Sequence, residues 1–179
     1  PFEKIGRSIF MNRAAIKLAN IDSVLHVTPS ASTYQKQQLD DDLTFCDIAA
    51  GPGGFTQYLQ YRYPKSIGYG MTLKSQTLDW NTSLLDMNRF TPFYGDDNSG
   101  NLYTQWRSFV DFVKSKNPSG VDLITADGGF DLESSESSNE RNELLQKQEF
   151  LSSRLFLVQA LVALSSVKTG GNVVIKTFD

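Results

Sequence analysis

The sequence predicts an α/β protein built on a parallel or mostly parallel sheet with helices on both faces. Three observations carry this. Apolar runs of strand length alternate with longer amphipathic runs along the chain. A cluster of glycines follows the first strand directly, within residues 51–54. The length, 179 residues with 40% apolar and 12% aromatic content, suits one domain with a substantial core.

Each element has its own reason. Phe10, Ala14, Leu18, Ile21 and Leu25 recur at helical spacing, which predicts an amphipathic helix over residues 7–27. Residues 28–42 are polar and turn-rich and predict a loop. "LTFCDIAA" (43–50) is a short apolar strand, and "GFTQYLQYRY" (54–63) has helical length and pattern. "SIGYGMTL" (66–73) is a second strand. "RFTPFYG" (89–95) is a weaker third one, since Pro92 fits only at a sheet edge or a strand start.

"NLYTQWRSFVDFVKSK" (101–116) is a helix with Trp106, Phe109, Val110 and Val113 on one face, stopped by Asn117 and Pro118. "VDLITADGG" (121–129) is a strand ended by two glycines, and residues 144–168 form a long helix closed by Gly170 and Gly171. "NVVIKTFD" (172–179) is a last strand. The Ser- and acid-rich stretch 131–143 predicts a mobile surface loop.

Charge and cysteine usage bound the function. The net charge of −3 excludes a protein coated in positive charge, though Lys4, Arg7, Arg13, Lys17 and Lys36 place any attraction for a polyanion in the N-terminal segment. Cys46 and His26 are the single residues of their types, which excludes a disulfide framework and any thiolate or imidazole metal cluster. No uninterrupted apolar run approaches the roughly 18 residues of a membrane helix. The first residue is Pro1 rather than Met, so the chain is expected to be cut from something longer.

The glycines carry the chemistry. Gly51, Gly53 and Gly54, set between strand and helix, let the backbone turn sharply and approach a ligand; a plain tight turn is the competing reading. A P-loop is excluded because no Gly-Lys-Ser/Thr follows. The dinucleotide fingerprint fails because Thr56 stands where its third glycine belongs and no acid lies near the end of the second strand. A nucleoside with an amino-acid tail fits main-chain amides and carbonyls better than a phosphate-bearing ligand does.

"DIAAGPGGF" resembles the S-adenosylmethionine loop of the FtsJ-like ribose 2′-O-methyltransferases, above all of the cap-specific mRNA (nucleoside-2′-O-)methyltransferase 1 family. The resemblance extends to "FMNRAAIKLANID", "GYGMTL", "FYG", "ITADGGF" and "QALVALSSVKTGGNVVIKTFD", and so to nearly the whole chain. It implies a Rossmann-like class I methyltransferase sheet in a single domain over 1–179. It also implies S-adenosylmethionine as cofactor and 5′-capped mRNA as partner, with no metal and no membrane. The cofactor residues it implies are Asn12, Ala49, Ala50, Gly51, Pro52, Gly53, Gly54, Phe55, Gly100, Asn101 and Asp127. At Asn101 the family has an aspartate that accepts from the adenine amine; the amide oxygen here can accept without charge.

In that family a Lys-Asp-Lys-Glu tetrad surrounds the reacting ribose, and its first three members fall on Lys17, Asp127 and Lys176. The resemblance implies Lys176 as the base or the group steering the hydroxyl, Lys17 as a neighbouring charge that eases its deprotonation, and Asp127 as its orienting carboxylate. Taken from spacing alone, Lys17 reads first as a lysine whose stem packs while its head reaches water, and Asp127 reads equally as a turn cap. Lys176 is harder to read as surface decoration, flanked as it is by Val174, Ile175 and Phe178.

The glutamate of the tetrad has no counterpart here, and the last strands of the sheet are expected to be missing, so the chain by itself is expected to show weak catalysis or none. Two other functions stay open: methylation of ribosomal or transfer RNA ribose, and an inactive RNA- or partner-binding module of the same fold. A cellular eukaryotic protein of this kind would be nuclear and a viral one cytoplasmic. Trp80 and Trp106 read as core. Tyr58, Tyr61 and Tyr63, near the glycine bend, are the candidates for stacking on bases.

Overall fold

The structure, a computed structural model, describes residues 9–28, 42–129 and 138–177, with side chains from residue 149 onward in the last segment. The elements in order are α1 (Arg13–Leu25), β1 (Thr44–Ile48), α2 (Gly54–Arg62), β2 (Ile67–Met71), β3 (Phe90–Phe93), α3 (Leu102–Lys116), β4 (Val121–Ala126), α4 (Ser138–Ser166) and β5 (Val167–Ile175). The strands form one five-stranded sheet in the order β3-β2-β1-β4-β5, parallel throughout. This is the predicted α/β class with helices on both faces.

The alternation of side chains along each strand sorts the helices into two layers. Phe45 points into a cluster with Ala15 and Leu18 of α1 and with Phe55, Tyr58 and Leu59 of α2. Cys46 and Ile48 point the other way, against Leu102, Phe109 and Val113 of α3 and Leu155, Val162 and Ala163 of α4. Cys46 is a packed core thiol, its pKa pushed up by burial and then by the neighbouring Asp47.

The "GYG" of β2 has a packing cause. A Cβ at Gly68 would collide with the ring of Phe45, and one at Gly70 with the rings of Phe90 and Trp80. The missing side chains make room for an aromatic cluster in which Phe45 stacks on Phe90 and Trp80 meets Phe90 edge-on at 4.7 Å. Trp80 is core, as predicted. Pro92 lies on β3, an edge strand, where its lack of an N–H is tolerated.

Four boundaries differ from the predicted ones. α1 begins at Arg13, because the Asn12 side-chain oxygen accepts from the N–H groups of Ala14 (3.1 Å) and Ala15 (3.4 Å) and caps the helix there. Phe10, counted in the helical stripe, lies before the helix and packs edge-on against Tyr58 and Tyr61. Gly170 and Gly171 do not close a helix. α4 ends at Ser166 and β5 starts at once, with both glycines inside it, where its register on β4 shifts between Val121 and Leu123. Of the loop predicted over 131–143, residues 138–143 are helical and the rest lie outside the described residues.

The stretch Glu149–Ser166 of α4 is also, by length and composition alone, apolar enough to cross a membrane. No uninterrupted apolar run announces it, because Arg154, Gln159 and a pair of serines interrupt it. Its Leu155, Val162 and Ala163 are buried in the core, whereas Phe150, Leu157, Leu161 and Leu164 are exposed.

Candidate active site

Parallel order 3-2-1-4-5 reverses direction between β1 and β4, and ligands of such sheets bind at the carboxyl ends of the strands flanking that point. A cavity of about 300 Å³ opens there. Ala49 and Gly51 bound it from the end of β1, Met71, Thr72 and Leu73 from β2, Asn101 and Tyr103 from the start of α3, and Gly128 from β4. Mostly apolar walls with a few polar groups are the usual chemistry of a small-molecule site.

Backbone geometry makes these walls. Ala49 adopts φ +52, a left-handed conformation that turns the chain out of β1, and its N–H donates to the carbonyl of Met71 at 2.7 Å. Gly51 donates to the Thr72 hydroxyl oxygen at 3.3 Å, and a Cβ on it would collide with the carbonyl of Leu78. Thr72 in turn donates to that same Leu78 carbonyl at 3.1 Å, which ties the segment after β2 over the bend. Gly100 has φ +67 and no room for a Cβ beside the Thr72 carbonyl. These close approaches let main chain from both loops reach a slot otherwise walled by Met71, Leu73, Leu78, Leu102 and Leu155, suited to the aromatic face and amino-acid tail of a nucleoside-type ligand.

The predicted cofactor residues divide. Ala49, Gly51, Gly100 and Asn101 line the cavity. Ala50 and Phe55 are buried in the α1–α2 cluster instead, and Gly53 faces Leu85 and Trp80, with φ +106 at the start of α2. Gly54 is packed against the Asn12 side chain, which is occupied with its capping bonds, and Pro52 offers its carbonyl to the Asn81 N–H at 2.9 Å. The Asn101 oxygen caps α3 through the Tyr103 N–H at 3.0 Å and keeps one lone-pair direction for a ligand. Spacing missed Thr72 and Tyr103, although the polar end of the second strand was a readable signal for Thr72.

At the ends of β4 and β5, Asp127 and Lys176 meet. Lys176 Nζ donates to the Asp127 carbonyl oxygen at 2.7 Å and to its carboxylate at 2.9 Å, while Gly128, next in the chain, lines the cavity. Lys17 is exposed on α1 and makes no ion pair among the described residues. Its height follows from two anchors. Asn12, at the start of α1, touches Gly54, and the carbonyl of Val27, beyond its end, accepts from Asn172 of β5 at 2.8 Å. Lys17 lies between these two anchors, just over one turn past the start of α1, and Lys176 directly follows the end of β5. Val174, two positions before Lys176, packs on the α1–α2 side. The helix that carries Lys17 and the side of β5 on which Val174 packs therefore share one face of the sheet.

The tyrosines correct an expectation. Tyr58 and Tyr63 are buried, their hydroxyls donating to Asp22 (2.8 Å) and Thr28 (2.5 Å), so neither ring is available to a base. Buried Asp22, which also accepts from the N–H and hydroxyl of Thr28, is what draws them inward. Tyr61 alone of the three is exposed.

The model of the family described as FtsJ-like methyltransferase matches residues 10–179. Proteins named cap-specific mRNA (nucleoside-2′-O-)-methyltransferase 1 are similar over 100% of this chain. The one from Drosophila melanogaster is 36% identical and covered over 23% of its length, that from Homo sapiens 36% identical over 22%, and that from Dictyostelium discoideum 33% identical over 25%. The chain thus spans about a quarter of the length of these curated relatives. Among solved structures, the MycE methyltransferase from the mycinamycin biosynthetic pathway, in complex with Mg and SAH, aligns over 91% of this chain and 32% of its own, at 17% identity and a TM-score of 0.47. That likeness is too loose to bear on function.

Proposed function

Because this chain belongs to the FtsJ-like methyltransferase family, we propose that it methylates an RNA ribose 2′-hydroxyl with S-adenosylmethionine, and that its substrate is the first transcribed nucleotide of capped mRNA. The observation that carries this reading is the Lys176–Asp127 contact, 2.7 and 2.9 Å, beside a mostly apolar cavity at the β1/β4 switch point. The names of the relatives favour the capped substrate over ribosomal or transfer RNA.

In this reading Ala49, Gly51, Thr72, Asn101 and Tyr103 hold the cofactor, which when bound supplies an electrophilic methyl group. Lys176 either steers the attacking 2′-hydroxyl as the ammonium or, once it has lost its own ammonium proton to solvent, takes up the hydroxyl proton as the base; Asp127 fixes the direction of the amine, and Lys17 adds a second positive charge. Alignment of donor and acceptor contributes the larger share of the rate and proton transfer on the order of 10² to 10⁴.

The test is methyl transfer by the intact protein to capped oligoribonucleotides, uncapped transcripts and ribosomal or transfer RNA fragments, with digestion to locate the methyl group. Methylation of the first nucleotide of the capped oligomer alone is the expected result. Transfer to the uncapped fragments instead would move the substrate to ribosomal or transfer RNA. Cofactor binding with no transfer to any RNA would make the protein an inactive module.

A further inference from the structure

Asp47, the acid of "CDIAAGPGGF", belongs to none of the groups described so far. It is fully buried. One carboxylate oxygen accepts from both the N–H (3.1 Å) and the hydroxyl (2.8 Å) of Thr56, and the other from the hydroxyl of Thr125 at 2.7 Å. Thr56 lies in the first turn of α2, whose N-cap, Gly53, has no side chain to meet an orphan N–H. Asp47 supplies that cap from the strand below. Thr125 lies on β4, two positions before Asp127. A single carboxylate therefore joins the turn that completes the glycine bend to the strand whose end carries Asp127.

The two walls so joined touch across the cavity: a Cβ on Gly128 would lie 2.9 Å from the Cβ of Ala49. A buried carboxylate is costly unless fully hydrogen-bonded, and here its partners are drawn from both walls. We propose that Asp47 is a positioning residue for methyl transfer, keeping the glycine bend that bounds the cofactor cavity in register with the strand end that presents Asp127 to Lys176. The inference rests on the methyltransferase reading above. Asp47 acts through Thr56 on the bend and through Thr125 on Asp127.

Three variants of the intact protein test it: Asp47→Asn, Asp47→Ala and Thr125→Val. The readouts are the Kd for S-adenosylhomocysteine by calorimetry, kcat and cofactor KM on a capped oligoribonucleotide, and the thermal midpoint. The amide of Asp47→Asn can still accept from Thr56, with the Thr125 hydroxyl turning to the Cys46 carbonyl it already approaches at 3.4 Å; Kd and KM are expected to stay within about 3-fold of the wild type. Asp47→Ala is expected to raise Kd and cofactor KM about 10-fold or more. Thr125→Val, which cuts only the tie to β4, is expected to lower kcat about 10-fold with KM nearly unmoved.

A folded Asp47→Ala protein with wild-type Kd and KM would overturn the inference, as would losses that follow the thermal midpoint without the KM and kcat split. If Asp47→Ala does not fold, Thr125→Val decides, and an unchanged kcat overturns it. A wild type that binds no S-adenosylhomocysteine would sink the functional reading and this inference together; a wild type that binds and transfers beside unaffected variants sinks this inference alone.

Discussion

Lys176 Nζ holds Asp127 twice, through the main-chain carbonyl at 2.7 Å and the carboxylate at 2.9 Å. Two bonds from one ammonium to one residue set its direction as well as its distance. Both side chains are partly exposed, at 35% for Lys176 and 19% for Asp127, so a substrate can reach them.

Lys176→Met keeps the packed stem and removes the ammonium. Methyl transfer is expected to fall on the order of 10²- to 10⁴-fold, with cofactor affinity nearly unchanged. Asp127→Asn should lose less, since the carbonyl bond survives. Single-turnover transfer measured beside cofactor calorimetry checks both, and a fully active Lys176→Met enzyme would remove this amine from the mechanism.

Gly51→Ala places a methyl group against the carbonyl of Leu78, on main chain that cannot simply rotate away. Rearrangement of the bend is expected to cost about 1–3 kcal/mol and to weaken cofactor binding. Calorimetric titration of the variant should show a raised Kd; an unchanged Kd would mean that this wall does not face the ligand.

Asn12 caps α1. Asn12→Ala is expected to lower stability by about 0.5–2 kcal/mol, and Asn12→Ser to restore most of it. Chemical denaturation measures this part. If Asn12 also contacts the cofactor, Asn12→Ser will recover stability but not affinity, which separates the two roles.

The pKa of Asp47 is raised to about 7, first by burial, against the hydrogen bonds from Thr125 and Thr56, which favour its charged form. A raised folded value makes the protonated form the native-stabilising one. Its contribution is therefore complete below the unfolded value of 3.8 and is lost as the pH climbs through about 7. Unfolding free energy from urea melts should fall between about pH 4 and about pH 7 and level off above, and Asp47→Asn should flatten that fall. A wild-type profile already flat over this window would contradict the assignment. Asp122 is shifted downward, its bonds from Lys168 and Thr44 outweighing burial, and so contributes its own pH dependence only at lower pH.

The fold class was legible in the sequence because alternation of strand-length and helix-length apolar runs is a local property, set by the period of each element. The glycine bend was legible for the same reason: clustered glycines after a strand mark a tight approach wherever the chain goes. Tertiary structure alone decided which wall each residue joined. Gly51 faces the cavity while Gly53 faces Leu85 and Trp80, and Tyr58 turns inward to a carboxylate 36 positions away. Gly170 and Gly171, good helix stops by local rule, fall inside β5 instead, in the irregular stretch between Val167 and Asn172, which both pair with β4. Lys176 finds Asp127, and Thr125 finds Asp47, only once the parallel order sets β1, β4 and β5 side by side. Local preference acts over a few residues. Partners 49 and 78 positions apart are chosen by strand order and register, which the packing of both layers fixes together.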